Sequence, residues 1–190
     1  MRNGLRAWAS EPLFISLSEI EHYFGVIMRN QILIVKAMVI AAVYTGLTVI
    51  LGVLSYGELQ FRISDAMLLL PLLQGFGAEA VLGLTLGGFL GNITSPFQPW
   101  DLIFGPLTNA LASAFVLAIG RKINARAIFK HLMSTIVASL TIALLVGYGE
   151  LHLVYGLPLI TVLYVFISEV VVIGVIGWTV IKSLERYIKR

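Results

Sequence analysis

The sequence predicts an all-α integral membrane protein, a bundle of six transmembrane helices with both termini cytoplasmic. Of its 190 residues, 58% are hydrophobic and 12% charged, where soluble domains carry roughly 45–50% and about 25%. The mean hydropathy is +0.94. The apolar residues fall in runs near bilayer-crossing length, and the cations collect on one side of the connections between them. This composition excludes an ordinary cytosolic enzyme, a disordered chain and a nucleic-acid-binding domain. Cysteine is absent, which removes disulfides, thiolate catalysis and cysteine-ligated metals.

The elements follow in order. Residues 1–31 form an N-terminal extension, cytoplasmic or interfacial, in which Arg2, Arg6, Glu11, Glu19, Glu21 and Arg29 are mixed with apolar positions. Ile15, Leu17, Ile20, Phe24 and Ile27 fit an amphipathic interfacial helix. A loosely structured extension fits equally, as does an upstream start codon with Met28 as the true first residue. The acidic residues and the lack of an apolar core argue against a secretory signal.

Residues 32–185 form the membrane domain. The first span, residues 32–54, carries only Lys36 as a charge. After the polar stretch 55–65 come two short apolar segments, about 66–73 and 80–93, the first interrupted by Pro71 and the two separated by Gln74-Gly-Phe-Gly-Ala-Glu79. Short or broken segments are where transporters place binding sites, because freed backbone groups must face a cavity or protein. The turn-rich connection 94–101 leads to a fourth segment at 102–120 and a basic run from Arg121 to Lys130. A fifth span is expected at 132–148, then a loop at 149–156, then a sixth span at 157–181. Lys182 onward continues the last helix into water, and residues 186–190 are a basic cytoplasmic tail.

With six spans, the N-terminus, the connections after the second and fourth spans, and the C-terminus share one side. Of the 13 basic residues, Arg62 alone falls on the other, which places both termini in the cytoplasm. No lipidation or organelle signal is evident, so the expected location is a cell membrane, crossed several times.

The opposite side is polar and acidic: Glu58, Gln60, Arg62, Asp65, Asp101, Glu150 and His152 lie in or beside its loops, with Asn92 and Asn109 toward the ends of their helices. Glu169 sits twelve residues into the last span, where a charge costs about 2.5–3.5 kcal/mol on insertion scales. It reads as a substrate ligand, or as a member of a buried ion pair, or as a protonated structural acid. Ser64 and Asp65 fit a helix start that Arg62 pairs with locally, or a direct part in a site. Phe97 and Trp100 beside Asp101 fit a stacking lid or an interfacial aromatic belt. Ala37 and Ala41 form a small-x-x-x-small pair that admits a close helix neighbour. No Gly-x-x-x-x-Gly-Lys-Ser/Thr loop is present, so this chain is not expected to be an ATPase or other enzyme. No cofactor or metal site is expected in it.

Tyr56-Gly-Glu-Leu-Gln-Phe-Arg-Ile-Ser-Asp65 and the following Leu70-Pro71 resemble the signature of the QueT (queuosine-precursor transporter) family. Asn92-Ile-Thr-Ser95, Trp100-Asp-Leu-Ile-Phe-Gly105, Thr108, Ser168-Glu169 and Gly177 fit the same family. The resemblance covers roughly residues 32–185, and the Gln-Phe-Arg-Ile-Ser-Asp block is its most specific part. It implies the substrate-binding (S) component of an energy-coupling factor (ECF) transporter. Its partners would be a transmembrane coupling subunit and two ATPase subunits that use the ATP. Ala37 and Ala41 match the motif by which such components meet the coupling subunit.

The ligands the resemblance implies are 7-deazaguanine precursors of queuosine or archaeosine. Glu169 is then the expected carboxylate for the ring N–H and exocyclic amine, with Asp65 or Asp101 second. Arg62 is expected to touch the ligand or the groups that hold it. Gln60, Asn92 and Asn109 would answer the carbonyl and ring nitrogens, and Phe61 or Trp100 would stack on the ring. The alternatives are an S component for another vitamin-like molecule, an intramembrane enzyme using Glu169, Asp65 and Asp101, or a structural subunit.

Overall fold

A computed structural model describes residues 17–56 and 60–188, with side chains from Ile27 onward except at residue 29. The chain divides into two units, Met1–Ile34 and Val35–Arg190. The expected interfacial helix falls largely outside the described side chains, although its backbone is helical from Leu17.

The described residues form helices joined by turns and short loops, with no strand among them. Helix α1 runs Leu17–Ile50, and a single further turn, α2, covers Gly52–Ser55. Helix α3, Ile63–Leu72, is a tight 3₁₀ helix. Helix α4 is Ala78–Asn92 and α5 is Asp101–Lys122. Helix α6, Ala127–Val154, is α-helical to Ile142 and widens into a π-helix over Ala143–Val154. Helix α7, Ile160–Ile188, widens likewise over Val172–Gly177.

One pattern explains much of this. The buried residues of α6 repeat every four positions, as Ser134, Ala138, Ile142, Val146 and Glu150, each beside a second buried residue. In α7 the series is Thr161, Val165, Glu169, Ile173, Gly177 and Ile181. An α-helix turns every 3.6 residues, so a strict four-residue stripe drifts around it. Widening the turn brings such a stripe back into line. The π stretches therefore hold Glu150, Ile173 and Gly177 on the same inner face as the residues before them.

Helix α4 makes close approaches possible. Its Gly83, Gly87 and Gly91 lie against Ile40, Tyr44 and Thr48 of α1: a Cβ at Gly83 would come within 2.6 Å of the Ala37 carbonyl oxygen, and one at Gly87 within 2.8 Å of Tyr44. Neighbouring Gly88 faces α5, where a Cβ would meet the Asn109 side chain at 2.7 Å. With no side chain at these positions, backbones touch and large polar side chains fit between them.

The helical runs alternate between two ends. At one, Lys36 Nζ donates to the Gly75 carbonyl at 2.9 Å and lies 3.9 Å from Glu79, while Gly77 packs on Arg121. Lys130 Nζ donates to the Gly120 carbonyl there at 3.0 Å, and Leu72, Lys130 and Glu185 share one groove. At the other, Tyr56 donates to the Gly91 carbonyl and Tyr155 to the Phe97 carbonyl, each at 2.5 Å.

Four helices are long and apolar enough to cross a membrane: residues 30–50, Asp101–Lys122, Ala127–Val154 and Ile160–Ile188. Six full spans were expected. Helices α3 and α4, about 20 Å and about 22 Å long at their respective rises, are shorter than the roughly 30 Å hydrocarbon core. The expected loop at 149–156 is also mostly helix, since α6 continues to Val154. The outward stripes are apolar, with Val35, Met38, Val39, Leu107, Leu111, Leu140, Leu144, Ile167 and Val171 all exposed. In water these would form an aggregating surface; lipid solvates them.

Candidate substrate-binding site

Between α3, α5, α6 and α7 lies a closed cleft with about 10 Å³ of space, roughly room for one water. Gln60, Arg62, Asp65, Asn109 and Glu169 line it, together with Thr108 and an apolar wall of Ile142 and Val146. Five of the residues expected in a site are therefore brought together here, from parts of the chain as far apart as Gln60 and Glu169.

The entry to α3 builds one wall. Gln60 takes φ +48°, a left-handed conformation that costs a non-glycine residue energy and is found where function demands it. Its backbone carbonyl then accepts from Arg62 N at 2.9 Å, and the Arg62 carbonyl accepts from Asp65 N at 2.9 Å. These local bonds turn Gln60, Arg62 and Asp65 inward before the 3₁₀ helix begins. Arg62 Nη2 donates to Gln60 Oε1 at 3.3 Å, and its guanidinium lies 5.8 Å from the Tyr56 ring centroid.

Asp65 accepts a short hydrogen bond from the Tyr44 hydroxyl, which also lies 3.4 Å from Asn109 Oδ1. Asn109 is fixed by its own amide, donating to the Leu84 carbonyl at 3.0 Å. Thr48 and Ser64 hydroxyls bond at 2.7 Å beneath them. Glu169, 1% exposed, brings its carboxyl against that of Asp65. Farther along, Asp101 accepts from Ser95, and Asn92 Nδ2 donates to the Asp101 backbone carbonyl at 2.9 Å. Glu150, fully buried, faces Asp101.

Two carboxyl pairs, Asp65 with Glu169 and Asp101 with Glu150, thus surround one guanidinium. Burial works against the Arg62 charge, but Tyr44, Asp65, Asp101 and Glu169 more than offset it and hold Arg62 protonated well above the usual arginine range. No ion pair within 4.0 Å ties Arg62 to any of these acids among the described residues. Several buried polar atoms have no partner: Gln60 Nε2, Arg62 Nε, Thr108 Oγ1, Asn92 Oδ1, Glu169 Oε2 and both Glu150 oxygens. Folded proteins satisfy the large majority of such groups. Others lie away from the cleft, at Ser55, His131, Ser134, Thr135 and Ser139, but the unpartnered arginine and carboxylate atoms gather around it, which fits a place where a polar ligand completes the bonding.

The remaining expected residues fall elsewhere. Asn92 and Asp101 adjoin the cleft, with Asp101 one turn from Gly105. Trp100 is 42% exposed and packs on Phe104, and Phe61 is half-buried outside the lining. Ala37 and Ala41 are buried, 6% and 4% exposed, on the face of α1 that meets α4. Glu58 lies outside the described residues. Sequence reasoning passed over Tyr44 and took Glu150 for a loop residue. The four-residue spacing Ser134, Ala138, Ile142, Val146, Glu150 was the available signal for the latter. No groups of His, Asp and Glu suited to a metal ion occur among the described residues.

No curated protein and no solved structure matches the chain. The model of the QueT transporter family matches residues 34–186, most of the chain. That range contains all of α3 to α6, nearly all of α7 and every residue of the cleft. With its apolar crossing helices and its buried polar cleft, the chain is a membrane protein that belongs to the QueT transporter family.

Proposed function

We propose that this chain is the substrate-binding component of an energy-coupling factor uptake transporter, capturing a 7-deazaguanine precursor of queuosine or archaeosine from outside the cell. The carrying observation is Glu169 Oε2: a carboxylate oxygen buried with no partner, in a cleft also lined by Gln60 and Thr108 with their unpaired donors. A guanine-like edge offers an N–H and an amine to one carboxylate, in a dry site where such charge-assisted bonds are strongest. Its carbonyl would accept from Gln60 Nε2 or the Thr108 hydroxyl. At about 10 Å³ the cleft admits no base as it stands, so binding must widen it.

In this reading α3 and α4 complete six crossings, with their short lengths covered by neighbouring helices. Lys130, Arg121 and Lys182 then mark the cytoplasmic end, with both termini there. Transport would be energised by partners, a membrane coupling subunit and two ATPases.

The test is binding by purified protein in detergent, titrated with 7-cyano- and 7-aminomethyl-7-deazaguanine with guanine as control. Tight binding of a deazaguanine, weakened well over about tenfold by Glu169→Gln, is expected for loss of a charged hydrogen-bond partner. Unchanged affinity in that variant removes Glu169 from the site. No binding by folded protein overturns the reading.

A further inference from the structure

A second cavity lies away from the cleft, at the basic end of the bundle. It holds about 240 Å³ and is lined by the apolar side chains of Leu72, Leu73 and Ile188 and the polar ones of Gln74, Lys130 and Glu185. Three elements meet here: the end of α3, the first turn of α6 and the last turn of α7. Helix α6 has 28 residues and α7 has 29, each about 40 Å long at an α-helical rise. Both overrun the roughly 30 Å hydrocarbon core, so their end turns stand at the depth of the lipid headgroups. Ile128, Phe129 and Leu132, in the same first turns of α6, are exposed, and lipid is the solvent that suits them.

The charges around this groove do not cancel. Glu185 is matched by Lys182 at 3.1 Å, whose ammonium also lies 4.3 Å from the Trp178 ring centroid. Lys130 has only a neutral partner, the Gly120 carbonyl at 3.0 Å, and no carboxylate lies within 4.0 Å of it among the described residues. Arg126, which flanks the start of α6, makes no side-chain capping bond. Two cations therefore stand at the positive end of the helix dipole, where an anion is the favoured neighbour.

The geometry points to a binding site for the headgroup of an anionic phospholipid. Its phosphate would sit against the Lys130 ammonium, with the Gln74 amide as a second donor, and its glycerol and first methylenes would cover Leu72, Leu73 and Ile188. The groove is too small for a whole lipid, so the acyl chains would run out over the exposed apolar faces. A soluble anion would leave the apolar side of the groove in water, and a hydrocarbon chain alone would leave Lys130 without a counter-charge. Basic pockets between membrane helices are suited to such headgroups. The site is separate from the cleft and holds whatever ligand the cleft takes, since it requires only that the chain lie in a membrane.

The test uses the full chain purified in detergent and supplied with phosphatidylglycerol or phosphatidylcholine of the same acyl chains. Native mass spectrometry counts the retained lipid. Wild-type protein is expected to retain one phosphatidylglycerol with an affinity about fivefold above that for phosphatidylcholine, the worth of one cation near an anionic lipid. Lys130→Gln is expected to remove that preference, and Lys36→Met, at the same end but outside the groove lining, to keep it. Ala125→Phe, in the link before α6, fills the groove with every charge in place. It is expected to lose the retained lipid, which decides the matter should Lys130→Gln fail to fold. Equal retention of the two lipids by wild-type protein overturns the inference, as does a preference that Lys36→Met lowers as much as Lys130→Gln. A preference for phosphatidylethanolamine over phosphatidylglycerol that Glu185→Gln abolishes makes the carboxylate the binding group and overturns it. Displacement of the lipid by an equal concentration of glycerol phosphate makes this a soluble-anion site and also overturns it.

Discussion

The two ends of the helical bundle handle charge in opposite ways. At the basic end, Lys36, Lys130 and Lys182 reach outward and settle on nearby groups: backbone carbonyls for the first two, and Glu185 at 3.1 Å together with the Trp178 ring for the third. These are exposed or half-exposed contacts, each replaceable by water or a lipid headgroup. At the cleft end, Arg62 and four carboxyls are nearly sealed from solvent, and several of their polar atoms have no partner in the protein. A membrane protein gains nothing in stability from such an arrangement. Its cost in buried charge at one end, set beside the solvated charges of the other, is the reason for assigning ligand binding to the cleft.

The sharpest way to break that contrast is to remove one cation from each end. Arg62→Met leaves the carboxyls of the cleft without their counter-charge, and taking one partner from a buried ionic set costs about 3–5 kcal/mol. Thermal unfolding in detergent should show a large loss of stability, and ligand affinity should vanish. Lys36→Met removes a side chain that is 41% exposed and 3.9 Å from its acid, a class of pair worth roughly 0–1 kcal/mol. Comparable losses in the two variants would mean that the ends are not electrostatically different.

Glycines give the next test. Gly105→Ala drives a methyl into Asn92 Nδ2, and overpacking of this kind costs about 1–3 kcal/mol. Displacing Asn92 should weaken binding as well. Gly46→Ala in α1 has nothing within 4 Å of the new Cβ, and replacing a mid-helix glycine there should stabilise by roughly 0.5–1 kcal/mol. Opposite signs of the shift in melting temperature are expected.

How much of this was legible in the sequence depended on whether the signal was local. The apolar runs and the outlying Arg62 predicted crossing helices and a polar opposite end, and the cleft does collect Gln60, Arg62, Asp65, Asn109 and Glu169. Where the expectation missed, geometry rather than composition decided. Glu150 follows Gly147 and Gly149 in a stretch that resembles a loop, and only a four-residue count back to Ser134 reveals a widened helix. Tyr44 lies in an apolar run where its ring reads as core, and its hydroxyl matters because Gly87 lets α4 close upon it. Trp100 and Phe61 were chosen for their chemistry, but helix phase turns Trp100 outward and leaves Phe61 beside the lining. The length of α3 could not be read either, because a 3₁₀ helix and an α-helix share the same apolar pattern over ten residues.

The smallest effect discriminates most finely between a site and a mere structural joint. Gln60 holds a left-handed backbone, φ +48°, at a position where glycine would rest without strain. If the turn existed only to start α3, Gln60→Gly would be neutral or stabilising, by up to about 1 kcal/mol from relief of that strain, and nothing else would change. Its side chain, however, accepts from Arg62 and turns an unpartnered Nε2 toward the cleft. The variant should therefore unfold at an equal or higher temperature while binding ligand more weakly, by roughly fivefold to tenfold for one neutral hydrogen bond. Stability and affinity moving in opposite directions is the signature of strain kept for binding. A variant that loses both would instead place Gln60 with the helix start, and the cleft would then owe its shape to α3 alone.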